Sequence, residues 1–266
     1  MEPTKNTLDP SKPPTAWDMK SLQKLILLSQ TYRQSPRVDL ELAKRDPENR
    51  LLTRASRIRL TGEVLRDSAL AVSNLLVPKI GGPSVRPYMP EGVWDETSKY
   101  GNLRNYMHDK GEGLYRRTMY TIWKRTAAPP SLLLFDAPNR EACIVKRSRT
   151  NTPLQALSLM NEVTFVEAAR HFGSRMILEG GSSDRERIQF GFRTAIGRAP
   201  TDRESEVLLK GLEDDKNRFR NNPDATKQLL KTGDSPSHPE LDPATHAAYT
   251  LVANVLINLD EFVTRE

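Results

Sequence analysis

The sequence predicts a mainly α-helical domain that carries a small two-stranded β element and one long structured loop. Three observations lead there. Apolar residues recur at spacings of three and four through most of the chain, and capping residues mark several helix starts. The alternation expected of strands is confined to two short stretches, 115–125 and 141–149. At 266 residues, 37% hydrophobic and 28% charged, the chain can bury roughly three-quarters of its unfolded surface without covalent staples.

Met1 to Pro14 is polar and proline-rich, so residues 1–16 read as an unstructured tail and 17–266 as a single domain. A first helix is expected from Asp18 to Tyr32, where Leu22, Leu25 and Ile26 share a face. Asp46, Pro47 and Glu48 look like the start of a long second helix. Its seam would run from Leu51 through Ala55, Ile58, Gly62, Leu65, Ala69 and Val72 to Leu76, with Gly62 admitting a close neighbour. From Pro78 to Gly113 the periodicity vanishes. The embedded Tyr88, Trp94, Tyr100 and Tyr106 argue for a packed loop.

The alternating stretches 115–125 and 141–149 then read as two paired strands, with one helical turn entered at Pro130 between them. Further on, Thr152 with Gln155, Ser183 with Glu186 and Thr201 with Glu204 match the capping box, in which two side chains reciprocally satisfy orphan amides. Gly180 and Gly181 separate two of these helices, and the polar stretch 223–243 separates the last two. The final helix starts at Asp242 and Pro243. Its apolar residues, from Ala248 to Phe262, cover so much of the circumference that it should lie centrally.

Several function classes are excluded by pattern. There is no phosphate-binding glycine loop, no His-Glu-x-x-His helix, no Gly-x-Ser-x-Gly elbow and no dinucleotide fingerprint. The apolar runs Leu25–Leu28 and Leu132–Phe135 are far too short to cross a bilayer, so no membrane insertion is expected. A single cysteine, Cys143, excludes a disulfide framework and the attachment site of a c-type haem, and it reads as a small buried apolar residue. His108, His171, His238 and His246 lack metal-ligand spacing, so neither metal nor other cofactor is expected. Asp214 with Asp215 and Asp260 with Glu261 diverge on helix surfaces, and Gly81-Gly82-Pro83 reads as a turn.

The net charge of +6 is unevenly spread. Residues 115–150 hold eight basic side chains against Asp136 and Glu141, which equals the whole excess, whereas from residue 200 onward acidic residues outnumber basic ones 13 to 8. Within 115–155 aromatic, basic and amide side chains interleave, and Trp123, Arg125, Asp136, Asn139, Arg140, Glu141, Arg147 and Arg149 are the candidate ligand-binding residues. Gln155 closes the group. Arginine forks grip carboxylate, sulfate or phosphate, and aromatic faces stack on sugars or bases. Two readings stand side by side: a site for a polyanion or acidic glycan, and an internal network in which the arginines pair with Asp136 and Glu141 to fix the connection.

Several strings in order resemble one family. They are WDMKSLQKLILLSQTYRQS (Trp17–Ser35), RLTGEVLRDSALAVS (Arg59–Ser73), GGPSVRPYMPEGVW (Gly81–Trp94), the run from Tyr115 to Arg170, and NVLINLDEFVTRE (Asn254–Glu266). They are similar to the planctomycete-specific domain of unknown function at the C-terminal end of large, usually exported proteins. Those proteins often carry cytochrome c-like and carbohydrate-binding-like modules upstream. The family domain begins with a further helical segment before Trp17, so this sequence reads as a truncated copy. The resemblance implies an exported or cell-surface parent, although the polar N-terminus carries no signal peptide and the chain as written would stay cytoplasmic. It implies no catalytic assignment.

Together these readings lead to a noncatalytic binding or assembly module of an exported multidomain protein, with an acidic polysaccharide or another protein module as partner. The first alternative is a hydrolase-like or other enzyme using Asp136, Glu141 and the nearby arginines. The second is nucleic-acid binding through the basic stretch, against which the acidic C-terminal part and the modest total charge both count.

Overall fold

The computed structural model describes residues 17–94, 106–124 and 126–265. The chain divides into two compact units, residues 1–58 with 265–266 and residues 59–264.

In the first unit, α1 (Met19–Leu28) starts at Asp18, whose carboxylate accepts from the Ser21 amide at 3.0 Å. Its apolar side chains are exposed, Leu25 by 68%. A short α2 (Leu40–Arg45) follows, capped by Asp39. The helix expected to run from Leu51 to Leu76 does not form in its first half. Asp46 is a capping residue, but of a turn: its two oxygens accept from the amides of Arg50 and Leu51, both at 2.8 Å, and Asn49 and Leu52 adopt positive φ. Those local bonds satisfy the backbone without a helix.

Strand β1 (Ile58–Arg59) pairs with β2 (Thr264–Arg265) as the two-stranded sheet, and the second unit begins at Arg59. The chain is thus mainly α with one strand pair, but neither strand comes from 115–125 or 141–149. The first stretch contains 3-10 turns at Gly111–Tyr115 and Thr118–Tyr120, and 141–149 is irregular. The alternation in both arose from arginines that bond elsewhere, as described below.

Helix α3 (Gly62–Val72) starts at Gly62, where a Cβ would come within 2.9 Å of the Phe135 Cβ. The close approach expected there is real, but it falls at a helix start, where glycine costs little helix stability. Helix α4 (Pro130–Leu134) is the single turn entered at proline.

Then come α5 (Pro153–Asn161), α6 (Val163–Glu179), α7 (Asp184–Ile196), α8 (Asp202–Arg220), α9 (Pro223–Leu230), α10 (Pro243–Asn258) and α11 (Asp260–Val263). Ser183 and Thr201 form complete capping boxes. Thr152 caps α5, yet Gln155 does not reciprocate, because its amide donates to Leu134 O and Thr150 Oγ1. Helix α9 occupies part of the stretch read as a separator: Asn222 caps it and Pro223 takes the first turn.

Helix α10 is central, packed on α5 to α9 and α11. Tyr249, Ala253 and Leu256 meet Phe172 and Met176 of α6 in one fully buried cluster. At Gly173 a Cβ would lie 2.9 Å from the backbone of Tyr249 and Thr250, so only glycine lets α6 and α10 touch main chain to main chain.

A buried polar clasp ties the loop before α10 to α6. The Glu167 carboxylate accepts from Tyr115 Oη at 2.9 Å and from the Ser235 amide at 2.7 Å, while Arg170 donates to the carbonyls of Ser235 and Pro236. The loop from Pro78 is packed at its described aromatic residues, while 78–84 are exposed. Trp94 is 2% exposed with Tyr106 edge-on at 4.8 Å, and Tyr88 Oη accepts from the Asp234 amide. Tyr100 lies outside the described residues.

Candidate anion-binding site

The segment after α4 is tied at its neck. Asp136, at φ +61°, accepts from the Thr150 amide at 2.7 Å and from Thr150 Oγ1 at 3.0 Å. Gln155, 1% exposed, braces the knot from below by donating to Thr150 Oγ1 and Leu134 O, both at 2.9 Å. Residues 137–149 therefore leave and return at one point and run over the surface as a strap.

On one flank of the strap the Trp123 indole donates to Asn139 O at 3.4 Å, and the Arg140 guanidinium lies 4.6 Å over its ring. Asn139 and Glu141 close a local turn, the Glu141 amide donating to Asn139 Oδ1 at 3.1 Å. On the other flank Arg147 donates to both oxygens of Glu63, at 2.9 and 3.0 Å. Burial pushes the Glu63 carboxyl up, but the hydrogen bonds from Arg147 and from backbone outweigh it and leave it below its ordinary value. Arg125 lies outside the described residues. Cys143 is exposed on the strap, not buried as its residue type led one to expect, because 141–150 packs under nothing.

Beneath the second flank lies a cavity of about 190 Å³ walled by Arg59, Asp136, Lys146, Arg147, Arg149 and Gln155 among others. Two buried polar atoms there lack a partner: the donor Arg59 Nε and the acceptor Gln155 Oε1. Lys146 and Arg149 are exposed and hold no ion pair among the described residues. The cavity is thus cationic, with one carboxylate, that of Asp136, already engaged by Thr150.

Of the candidate residues, the fold brings Asp136, Arg147 and Arg149 to this cavity and leaves Trp123, Asn139, Arg140 and Glu141 on the strap's other flank. Asp136 lines this cavity, and Glu141 is not among the residues that wall it. The chemistry the arrangement can perform is the holding of an anion by guanidinium and ammonium groups. Arg59 was missed by sequence reasoning. It sits on β1, and only the tertiary fold carries it to a segment more than seventy residues away.

The basic surplus of 115–150 is also less available than its count implies. Arg116 is 5% exposed, donates to the carbonyls of Lys79, Gly81 and Pro83, and stacks on Tyr120. Arg117 pairs with Asp67 at 3.4 Å, and Lys124 lies over Trp94. What remains toward solvent is concentrated in the strap.

Among the described residues no three His, Cys, Asp or Glu side chains are grouped to hold a metal ion, and no helix is long and apolar enough to cross a membrane. A mainly α-helical domain with a tethered basic strap is the class of protein that fold and site define. More particularly, the chain belongs to the PSD1 family, described as protein of unknown function (DUF1553), whose model matches residues 14–212. The match includes the strap and its cavity. No curated protein matches the chain, and no solved structure does.

Proposed function

We propose that this domain is a noncatalytic binding module for acidic polysaccharide, carried by an exported multidomain parent of planctomycete type. The observation that supports this most is the cavity under the strap, whose lining includes Arg149 and Lys146, which hold no ion pair among the described residues, and Arg59, whose buried Nε lacks a partner. A uronate carboxylate or a sulfate ester supplies acceptors for Lys146 and Arg149. A repeating polymer would engage the exposed strap over several residues while one charged group enters the cavity.

The test is a glycan array of sulfated and uronic-acid polymers beside neutral controls, with K146A/R149A in parallel. The acidic polymers should give signal that weakens as salt rises and that the double variant loses. Equal retention of neutral polymers, or an unchanged double variant, would remove the glycan reading.

A further inference from the structure

A second and larger cavity opens where α8 ends, α9 crosses and the chain re-enters α10. Its volume is about 680 Å³, the ordinary size for a small-molecule site. Thr226 fixes its corner, donating to Phe219 O at 2.9 Å and to Asn222 O at 3.0 Å, so α9 is bonded to the last turn of α8. The floor is apolar. Phe219 and Ala244 are buried in the core, and Leu230 and Leu241 are half-buried beside them.

The rim is cationic. Lys227 of α9 and Lys231, the residue that ends that helix, stand one turn apart, exposed, and neither holds an ion pair among the described residues. Arg220 joins them, donating to Asn217 Oδ1 at 3.2 Å. Asp242 is the lone carboxylate of the lining, and its Oδ2 already accepts from the Thr245 amide and hydroxyl to cap α10. His238 is engaged by Glu240 at 2.9 Å, and His246 faces Ser174 Oγ at 2.9 Å and Arg170 O at 3.0 Å. Like charges at i and i+4 repel, and among the described residues no carboxylate forms an ion pair with either lysine.

We infer that this cavity binds an amphipathic organic anion of the medium-chain carboxylate class. The aliphatic chain lies between Phe219, Leu230, Leu241 and Ala244, and the carboxylate meets Lys227 and Lys231. Neither half suffices alone: apolar burial supplies the attraction, and the ammonium pair selects the sign of the headgroup. The site shares no residue with the strap cavity, so its fate is independent of the polysaccharide reading.

Isothermal titration calorimetry with decanoate, below the concentration at which it forms micelles, tests this. Decanoate should bind at one site, while decanol, acetate and decyltrimethylammonium should each bind at least about tenfold more weakly. K227A/K231A should lose about tenfold in decanoate affinity with its melting temperature unchanged, since both side chains are exposed, and K227R/K231R should restore it. K146A/R149A should bind decanoate as the parent does. No heat with decanoate, equal affinity for decanol, or an unaffected K227A/K231A would each overturn the inference.

Discussion

Two sets of cations in this domain share a chemistry and differ in everything else. Arg66, Arg116 and Arg170 are 6%, 5% and 1% exposed, and every hydrogen bond they make inside the fold ends on a carbonyl or a hydroxyl, not on a carboxylate. Arg66 alone joins Leu114 O, Arg116 O and Thr118 Oγ1, across some fifty residues of chain. Among the described residues, Lys146 and Arg149 on the strap, and Lys227 and Lys231 at the end of α9, are exposed and hold no ion pair. Five donors on one rigid plane let a guanidinium satisfy several carbonyls at once where loops have no ladder of their own. Buried arginine therefore does in the loops what secondary structure does in the helices, and only the exposed cations are free to meet a partner.

The comparison breaks most directly at Arg66. Arg66→Ala should lower stability by about 3 to 5 kcal/mol, because it strands buried carbonyls together, and urea melts will read it. A cost below 1 kcal/mol would mean that these carbonyls find water and that the buried set is dispensable. Next comes the apolar half of the unit. Gly173→Ala should cost about 1 to 3 kcal/mol by forcing α6 from α10, again measured by urea melts.

Acid separates the regions more gently. Burial, with the Arg170 charge next in size, pushes His171 from its ordinary value of 6.5 down to about 4. The folded chain then keeps His171 neutral while the unfolded chain protonates it. Stability is complete above about pH 6.5 and falls as pH drops toward 4. H171Q should flatten the decline of melting temperature over that window by a few degrees. The strap 137–149 contains no histidine, so its anion binding should hold through the same range. The smallest expected effect is K146A/R149A on stability, within about 0.5 kcal/mol. A larger loss would place the strap among the structural cations.

Much of the helical frame was legible. Ser183, Thr201 and Asp242 cap where their spacing says they should, because a cap is a local bargain between a side chain and the next turn. The central place of α10 followed from the width of its apolar surface. The strands at 115–125 and 141–149 failed for a tertiary reason: alternating residues there point to partners as distant as Lys79, Asp67 and Glu63, which no period-two pattern encodes. Helix α9 was missed because Asn222 and Pro223 signal a helix start as readily as a turn.

The candidate site was half legible. Asp136, Arg147 and Arg149 lie close in sequence and meet in space, whereas Arg59 is delivered by a two-residue strand with no signal of its own. The α9 cavity was hidden by averaging. An acidic C-terminal part was correctly counted, but composition does not say that three of its cations gather on one rim.

The knot at Asp136 and Thr150 makes the strap a detachable part. Its two ends are held together by three hydrogen bonds that involve no residue between them. Changes within residues 140–146, all exposed, leave that neck, the buried Ala137 and the Arg147–Glu63 pair as they are. A domain built this way can exchange its surface vocabulary while keeping its frame, as an antibody does with its loops. Grafting a different sequence over residues 140–146 is then a route to a changed binding preference on an unchanged scaffold.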